Sequence, residues 1–384
     1  MILGINSTLP FVTRVNGMNG ADWFDIQVVG RHADVGSLVF IGNRVGGGVS
    51  EDIGILDTAT GNVTYIDGAL NGTGGTSWTG IDCDRRTGIY VAGTNTNGAG
   101  SGGYPSFWST DLTTWTECDD PGTLFHNNDW IIFEDTHELW YWQSGTSATG
   151  HYVSGDGKTF VEQQVYFNGF GQFDLGYSSP VLRAELNPLD SNVVLMPGDT
   201  TRLFRSDPQA YPEVPVYSTT SDIGNMREVV GPNNRAFTHS DNLSLRGGVV
   251  AFEDAVYVMA SRGDIMKNDA AMLKDTWTQI AEKGTGNDAN ELIDEVDTFN
   301  HFAVVDGVFW VQEANSGNWW SYSAGGEPVG YGWSLDTTYA GPFSAPNGTE
   351  NLITSAHLRS TEFPLAFVGR TAGNSDYRIY YAKS

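Results

Sequence analysis

Two cysteines, Cys83 and Cys118, in 384 residues leave no material for a disulfide framework. The repeat described below puts them on the innermost and outermost strands of one unit. Three strand spacings of about 4.8 Å then hold them about 14 Å apart, beyond disulfide reach, so free thiols and synthesis in the cytoplasm are expected. Lysine is scarce as well. Only 17% of residues are charged, yet 20 basic minus 46 acidic residues gives −26, with a pI near 4.3. That balance excludes a general electrostatic attraction to phosphates or anionic lipid, so neither nucleic acid nor a membrane surface is an expected partner. An acidic lumen past which DNA slides stays compatible. No run approaches the roughly 20 apolar residues of a membrane helix. The opening MILGINSTLPFVTRV lacks a basic n-region followed by an apolar core, so a secretory signal is not expected. H-E-x-x-H, C-x-x-C, Walker A, G-x-S-x-G and D-x-[DN]-x-[DN]-G are all missing, which leaves zinc, nucleotide, acyl-transfer and calcium-loop chemistry without a motif. No metal or cofactor is expected.

What is present is turn-forming and aromatic: 48 Gly, 12 Trp, 16 Tyr and 19 Phe, the mark of short aromatic strands between turns. One unit recurs seven times: an apolar strand, a tight polar turn, and a second apolar strand. With Asp34, Arg86, Thr136, Asp190, Asp254, Asp306 and Glu362 as turn markers, successive steps are 52, 50, 54, 64, 52 and 56 residues. Runs such as LVFI, WYW, VVAF and FWV are unbroken rather than alternating, as strands buried on both faces require. The expectation is an all-β, seven-bladed β-propeller of four-stranded antiparallel blades filling residues 1–384 as one domain. Its blades fall near 22–67, 78–118, 129–164, 175–220, 245–282, 298–338 and 351–384. The last unit runs one strand short, and PFVTRV (10–15) is unused. Pairing that N-terminal strand with the C-terminal YRIYYAKS completes the last blade and closes the ring.

Two second hairpins share a spacing, Ser109-x-Asp111-x-x-Thr114-Trp115 and Ser154-x-Asp156-x-x-Thr159-Phe160. Here the chain resembles the Asp-box (BNR) repeat of sialidase-type propellers, which marks the turn between the third and fourth strands of a blade. The resemblance covers about seven residues in each of two blades and decays elsewhere, to Leu273-Lys-Asp275-Thr-Trp277 and a Gly-rich turn before Trp333. Asp and Ser side chains can bond turn amides while the aromatic anchors the outer strand, so these eight residues are expected to be structural. The resemblance also implies a glycosidase alternative, which needs an Arg cluster, a Tyr nucleophile with a Glu base and an Asp acid. The F-R-I-P-like motif of that family has no match, and nothing in the spacing of Arg183, Arg235, Arg246 and Arg359 makes them converge. No catalytic residue is assigned.

In four-stranded blades the first-to-second and third-to-fourth turns share one rim, and the long connections share the other. The long ones are 44–51, 95–104, 167–174, 221–242, 284–297 and 340–350, and function collects on such loops. Candidate residues for a ligand or partner there are His126, Arg235, His239, His301 and the acidic Asp294, Glu295 and Asp297, beside the aromatics Phe167, Phe170, Phe173 and Tyr177. Asp288 and Glu291 have capping-box spacing ahead of Leu292, Ile293, Val296 and Phe299, so a short capped helix is the favoured explanation for the acidic loop, ahead of carboxylates offered to a metal or a basic partner. The favoured reading is a non-catalytic structural or recognition propeller of a phage virion: tail nozzle, adaptor, baseplate or receptor-binding part. It would contact other virion proteins, copies of itself or a cell-surface glycan. A sialidase-like hydrolase and a lectin-like propeller, the latter with an extracellular location open to it, are the alternatives.

Overall fold

The computed structural model describes residues 13–14, 24–44, 51–70, 73, 78–94, 105–119, 128–135, 138–144, 150–167 and 171–173, and from residue 181 onward the strands named below with Glu362 and Phe363. Every regular element among them is a β-strand, and none is a helix long and apolar enough to cross a membrane.

A short N-terminal strand, β1 (Thr13–Arg14), precedes a meander of β2 (Phe24–Arg31), β3 (Ser37–Arg44), β4 (Glu51–Asp57) and β5 (Val63–Ile66), paired antiparallel in that order. The next meander is β6 (Trp78–Asp84), β7 (Ile89–Thr94), β8 (Ser106–Ser109) and β9 (Thr116–Glu117). Then come β10 (Asn128–Glu134), β11 (Leu139–Ser144), β12 (Gly150–Ser154) and β13 (Val161–Phe167), followed by β14 (Gly171–Phe173). A fourth set follows: β15 (Val181–Leu186), β16 (Val193–Pro197), β17 (Leu203–Ser206) and β18 (Met226–Val229). Two further four-stranded sheets are β19 (Gly248–Phe252), β20 (Ala255–Met259), β21 (Ile265–Asn268), β22 (Trp277–Ala281), and β23 (Phe299–Val305), β24 (Val308–Glu313), β25 (Trp319–Ser323), β26 (Ser334–Leu335). The C-terminal sheet holds β27 (Ile353–Leu358), β28 (Leu365–Arg370) and β29 (Tyr377–Ala382), with β1 on its outer edge through Thr13 opposite Tyr381 and Arg14 opposite Tyr380.

The unbroken apolar runs are explained by three core clusters, each lying between neighbouring sheets. Ile26, Val29, Leu38, Phe40 and Leu56 of the first sheet pack with Phe363, Ile379 and Tyr381 of the C-terminal one. The alternate residues Val28, Val39, Ile41 and Ile53 pack the other way, against Trp78, Ile81, Tyr90 and Phe107. Val91 and Cys118 then meet Phe133, Trp140, Trp142, Tyr152 and Phe160 of the third sheet. Both faces of β3 are therefore core, and LVFI has no polar face to alternate with. Cys83 and Cys118 are buried free thiols on the inner strand and just past the outer strand of the second sheet.

Three sequence expectations are corrected around residues 161–229. The third and fourth sets of strands are one nine-stranded sheet instead of two separate four-stranded ones. The stretch 167–174, expected as a loop, contains β14, and 221–242 contains β18, which puts the outer strand of the fourth set beyond the expected limit of 220. The reason is the length of β13. It pairs with β12 only as far as Gln164, and its remaining residues present free edges. Val165 and Tyr166 take β18 in parallel on one edge, and Val165–Phe167 take β14 antiparallel on the other.

Candidate functional site

The rim that carries the short turns is tied together by charge. Arg31 ends inner strand β2 and is 3% exposed. Its Nε donates to Asp82 Oδ1 at 2.9 Å and its Nη2 to Asp82 Oδ2 at 2.7 Å, a bidentate pair. The same Nη2 donates to the Phe133 carbonyl at 2.6 Å, and Nη1 to Asp135 Oδ2 at 2.7 Å. Asp82, 1% exposed, also accepts the amides of Phe133 and Cys83, each at 2.9 Å. One guanidinium thus joins three successive sheets. Burial opposes its charge, but the charges and hydrogen bonds of Asp82 and Asp135 outweigh that and hold the Arg31 pKa above its usual value. Burial, followed by Asp82, pushes the Cys83 thiol up to about 12, so it stays protonated and unreactive.

The other side of the same rim meets the C-terminal sheet. Glu362 accepts the Gly36 amide on one oxygen and pairs with Arg85 Nη1 at 2.6 Å on the other, while Arg85 Nε donates to the His32 carbonyl at 2.7 Å. Tyr381 Oη donates to the Thr58 carbonyl at 2.8 Å.

Both S-x-D-x-x-T turns have one hydrogen-bond pattern. The amides of Asp111 and Leu112 donate to Ser109 Oγ, and those of Thr113 and Thr114 to Asp111 Oδ1 at 2.8 and 2.7 Å. The amides of Asp156, Gly157, Lys158 and Thr159 repeat this on Ser154 Oγ and Asp156 Oδ1. The amides of Thr114 and Thr113 hold the Asp111 carboxyl down to about 2. Partial burial works against ionisation of Asp156, yet the Thr159 and Lys158 amides hold it low too. The turn needs a left-handed residue, Leu112 (φ 61°) in one case and Gly157 (φ 68°) in the other. Phe160 is buried in the core and Trp115 half-buried, its Nε1 donating to the Leu112 carbonyl. A second local motif, D-x-x-T-G, recurs at Asp57–Gly61 and Asp84–Gly88. In each, the Thr hydroxyl donates to the Asp carboxylate, and a left-handed Gly donates its amide to the Asp carbonyl.

At the opposite ends of these strands, among the described residues, β2, β6, β10, β15, β23 and β27 each begin with a register slip. The extra residues are Gln27, Thr79, Asp129, Leu182 and Asn300, and three residues, 354–356, in β27, whereas β19 pairs with β20 without one. A bulge at a strand start adds twist and re-aims the neighbouring side chains. His301 follows one such slip and pairs with Gln312, and His357 follows another, opposite Phe367. Arg183 follows a third. Phe167 and Phe173 stand on the β13–β14 hairpin, where β14 branches from the middle of the nine-stranded sheet. His126, Phe170, Tyr177, Arg235, His239, Asp294, Glu295 and Asp297 lie outside the described residues, as do Asp288 and Glu291 of the expected short helix. Among the described residues no group of three His, Cys, Asp or Glu is placed to hold a metal ion.

Successive antiparallel meanders packed face to face define the class: the chain has a β-propeller fold. It is similar over 98% of its length to a solved structure of YCF48 bound to D1 peptide, with 96% of that chain covered, TM-score 0.58 and 11% identity. YCF48 from Cyanidioschyzon merolae is similar over 97% of this chain and 98% of its own, with TM-score 0.56 and 9% identity. At such identities the likeness is one of fold. No family model and no curated protein matches the sequence.

Proposed function

We propose that the chain closes as a seven-bladed ring of Asp-box type and serves, without chemistry of its own, as a recognition or assembly part whose working face is the long-loop rim. The observation that carries this reading is the contrast between the two ends of the inner strands. At the short-turn end the ionisable groups are spent tying sheets together, whereas at the long-loop end the strands open with a repeated bulge whose extra residue is polar in β2, β6, β10 and β23. Inner strands neighbour one another in the order β2, β6, β10, β15, β19, β23, with β27 back against β2, which supports a ring. A protein or peptide partner suits a face built from loops, and one similar structure holds a peptide.

The setting proposed is a phage particle, where a rigid, acidic, lysine-poor ring assembled in the cytoplasm stays soluble until it docks. Quantitative mass spectrometry of purified particles should find the chain in fixed stoichiometry with the tail proteins. Its presence solely in soluble host extract would sink the assignment. Closure has its own test. Deleting residues 1–16 removes β1 from the edge of β29 and should lower Tm by about 2–4 °C or more, the equivalent of about 1 kcal/mol or more. A truncated protein that melts like the intact one refutes closure.

A further inference from the structure

The β2–β3 turn is the place where the C-terminal sheet, the first sheet and the second sheet share hydrogen bonds, and a histidine holds its shape. His32 Nδ1 accepts the Asp34 amide at 3.0 Å, so the ring is the neutral tautomer with that nitrogen bare. Its carbonyl accepts Arg85 Nε, and its ring lies 5.7 Å from that of Tyr90, whose hydroxyl accepts the Ala33 amide at 3.0 Å. Two residues after Asp34, the Gly36 amide donates to Glu362, which also holds Arg85.

A proton on Nδ1 would put a donor against the Asp34 N–H donor and a cation beside Arg85. Among the described residues the compensation is the Asp34 carboxylate, 3.6 Å away but 84% exposed and therefore screened by water. From the second sheet Arg85 and Tyr90 face His32, and Glu362 of the β27–β28 turn is paired with Arg85. Asp84 is occupied by Arg86 and by the Arg86 and Thr87 groups of its own turn, and does not serve His32.

We propose that His32 makes this turn an acid-released latch: its protonation turns the ring out, draws Gly36 away from Glu362 and opens the seam between the C-terminal and first sheets. The direction of its titration agrees. Burial, only partly offset by Asp34 and reinforced by Arg85, lowers the His32 pKa from the usual value. The shut state therefore binds the proton less well than the open state. Its advantage is complete above the ordinary histidine pKa of about 6.5 and is lost as pH falls below it, by up to about tenfold in the opening equilibrium per pH unit. Opening there would uncover Phe363, Ile379 and Tyr381. The latch is independent of which partner the long-loop rim takes, and rests on ring closure only in naming the seam.

Hydrogen exchange of the full chain at about pH 7.5 and pH 5.0, corrected for intrinsic rates, tests it. In the wild type, β28 and β29 should exchange about tenfold faster at the lower pH, with β11 and β12 changed less than about twofold. His32→Asn, which keeps an acceptor for the Asp34 amide but does not titrate, should abolish the difference. Glu362→Gln removes the carboxylate charge that pairs with Arg85 and should speed exchange of β28 and β29 at pH 7.5 already. Loss of protection in all sheets together, no change in β28 and β29, a His32→Asn variant that follows the wild type, or a Glu362→Gln variant identical to it at pH 7.5 each overturns the latch. Deleting residues 1–16 speeds β29 exchange at both pH values, so failure of closure and failure of the latch give different patterns.

Discussion

Asp82→Ala is expected to cost about 3–5 kcal/mol of folding stability, because it strands a buried guanidinium. Arg31 makes three hydrogen bonds to Asp82, two from the guanidinium and one from its amide, and the Phe133 amide makes another, so the truncation orphans donors from two neighbouring sheets at once. Asp135 cannot take over. Its side chain is 54% exposed and reaches only Nη1. Asp82→Asn tests the role of charge separately, since the amide keeps the size and one acceptor but loses the bidentate pairing. The pair also need not be stabilising relative to an apolar core: replacing Arg31 and Asp82 together with Met and Leu should recover most of the loss. Urea unfolding of the three variants is the measurement. A single Asp82→Ala variant within about 0.5 kcal/mol of wild type would show that the three inner strands are held by packing alone.

The division between what the chain's pattern reveals and what it hides follows from the range of the interactions. The paired strands are readable because double-sided burial imposes unbroken apolar runs on β3, β11 and β20, and the Ser109 and Ser154 turns because every bond closes within a few residues of its acceptor. The Asp57 and Asp84 turns are equally local, and their D-x-x-T-G spacing was available to inspection. Arg31, Asp82 and Asp135 are different. Their partners lie 51 to 104 residues away, and only the placement of opposite charges at matching inner-strand positions of consecutive repeats, three residues before Asp34 and four before Arg86, hints at the pairing. The shared edge of β13 has no local signature, since which free edge meets it is decided by the lateral approach of two neighbouring sets of strands. The bulged strand starts were the least readable. A bulge is a property of two strands in register, and a polar residue such as Gln27 between Ile26 and Val28 reads equally well as one solvent-facing position of a regular strand.

Gly30→Ala is expected to cost about 3 kcal/mol, the upper end of the range for overpacking, and to resist rescue by trimming its neighbour's side chain. A Cβ at residue 30 would stand 1.9 Å from the Ile81 carbonyl oxygen and 2.7 Å from its carbon, so the obstacle is main chain of the adjacent sheet. Neither atom can rotate away. The two inner strands would have to separate by more than 1 Å, as judged by an ordinary contact of about 3.4 Å or more, and the next residue along each strand is Arg31 or Asp82. Relief of the clash therefore stretches the ion pair that holds the sheets together, and the two costs are not independent. Gly54→Ala provides the contrast. Its Cβ would meet the Phe40 ring, also at 1.9 Å, but that ring is a side chain. Phe40→Leu should recover part of the Gly54→Ala loss, whereas Ile81→Ala should recover none of the Gly30→Ala loss. If thermal unfolding shows Ile81→Ala rescuing Gly30→Ala, the close approach of β2 to β6 is a side-chain contact, and the axial tie is looser than the Arg31 geometry requires.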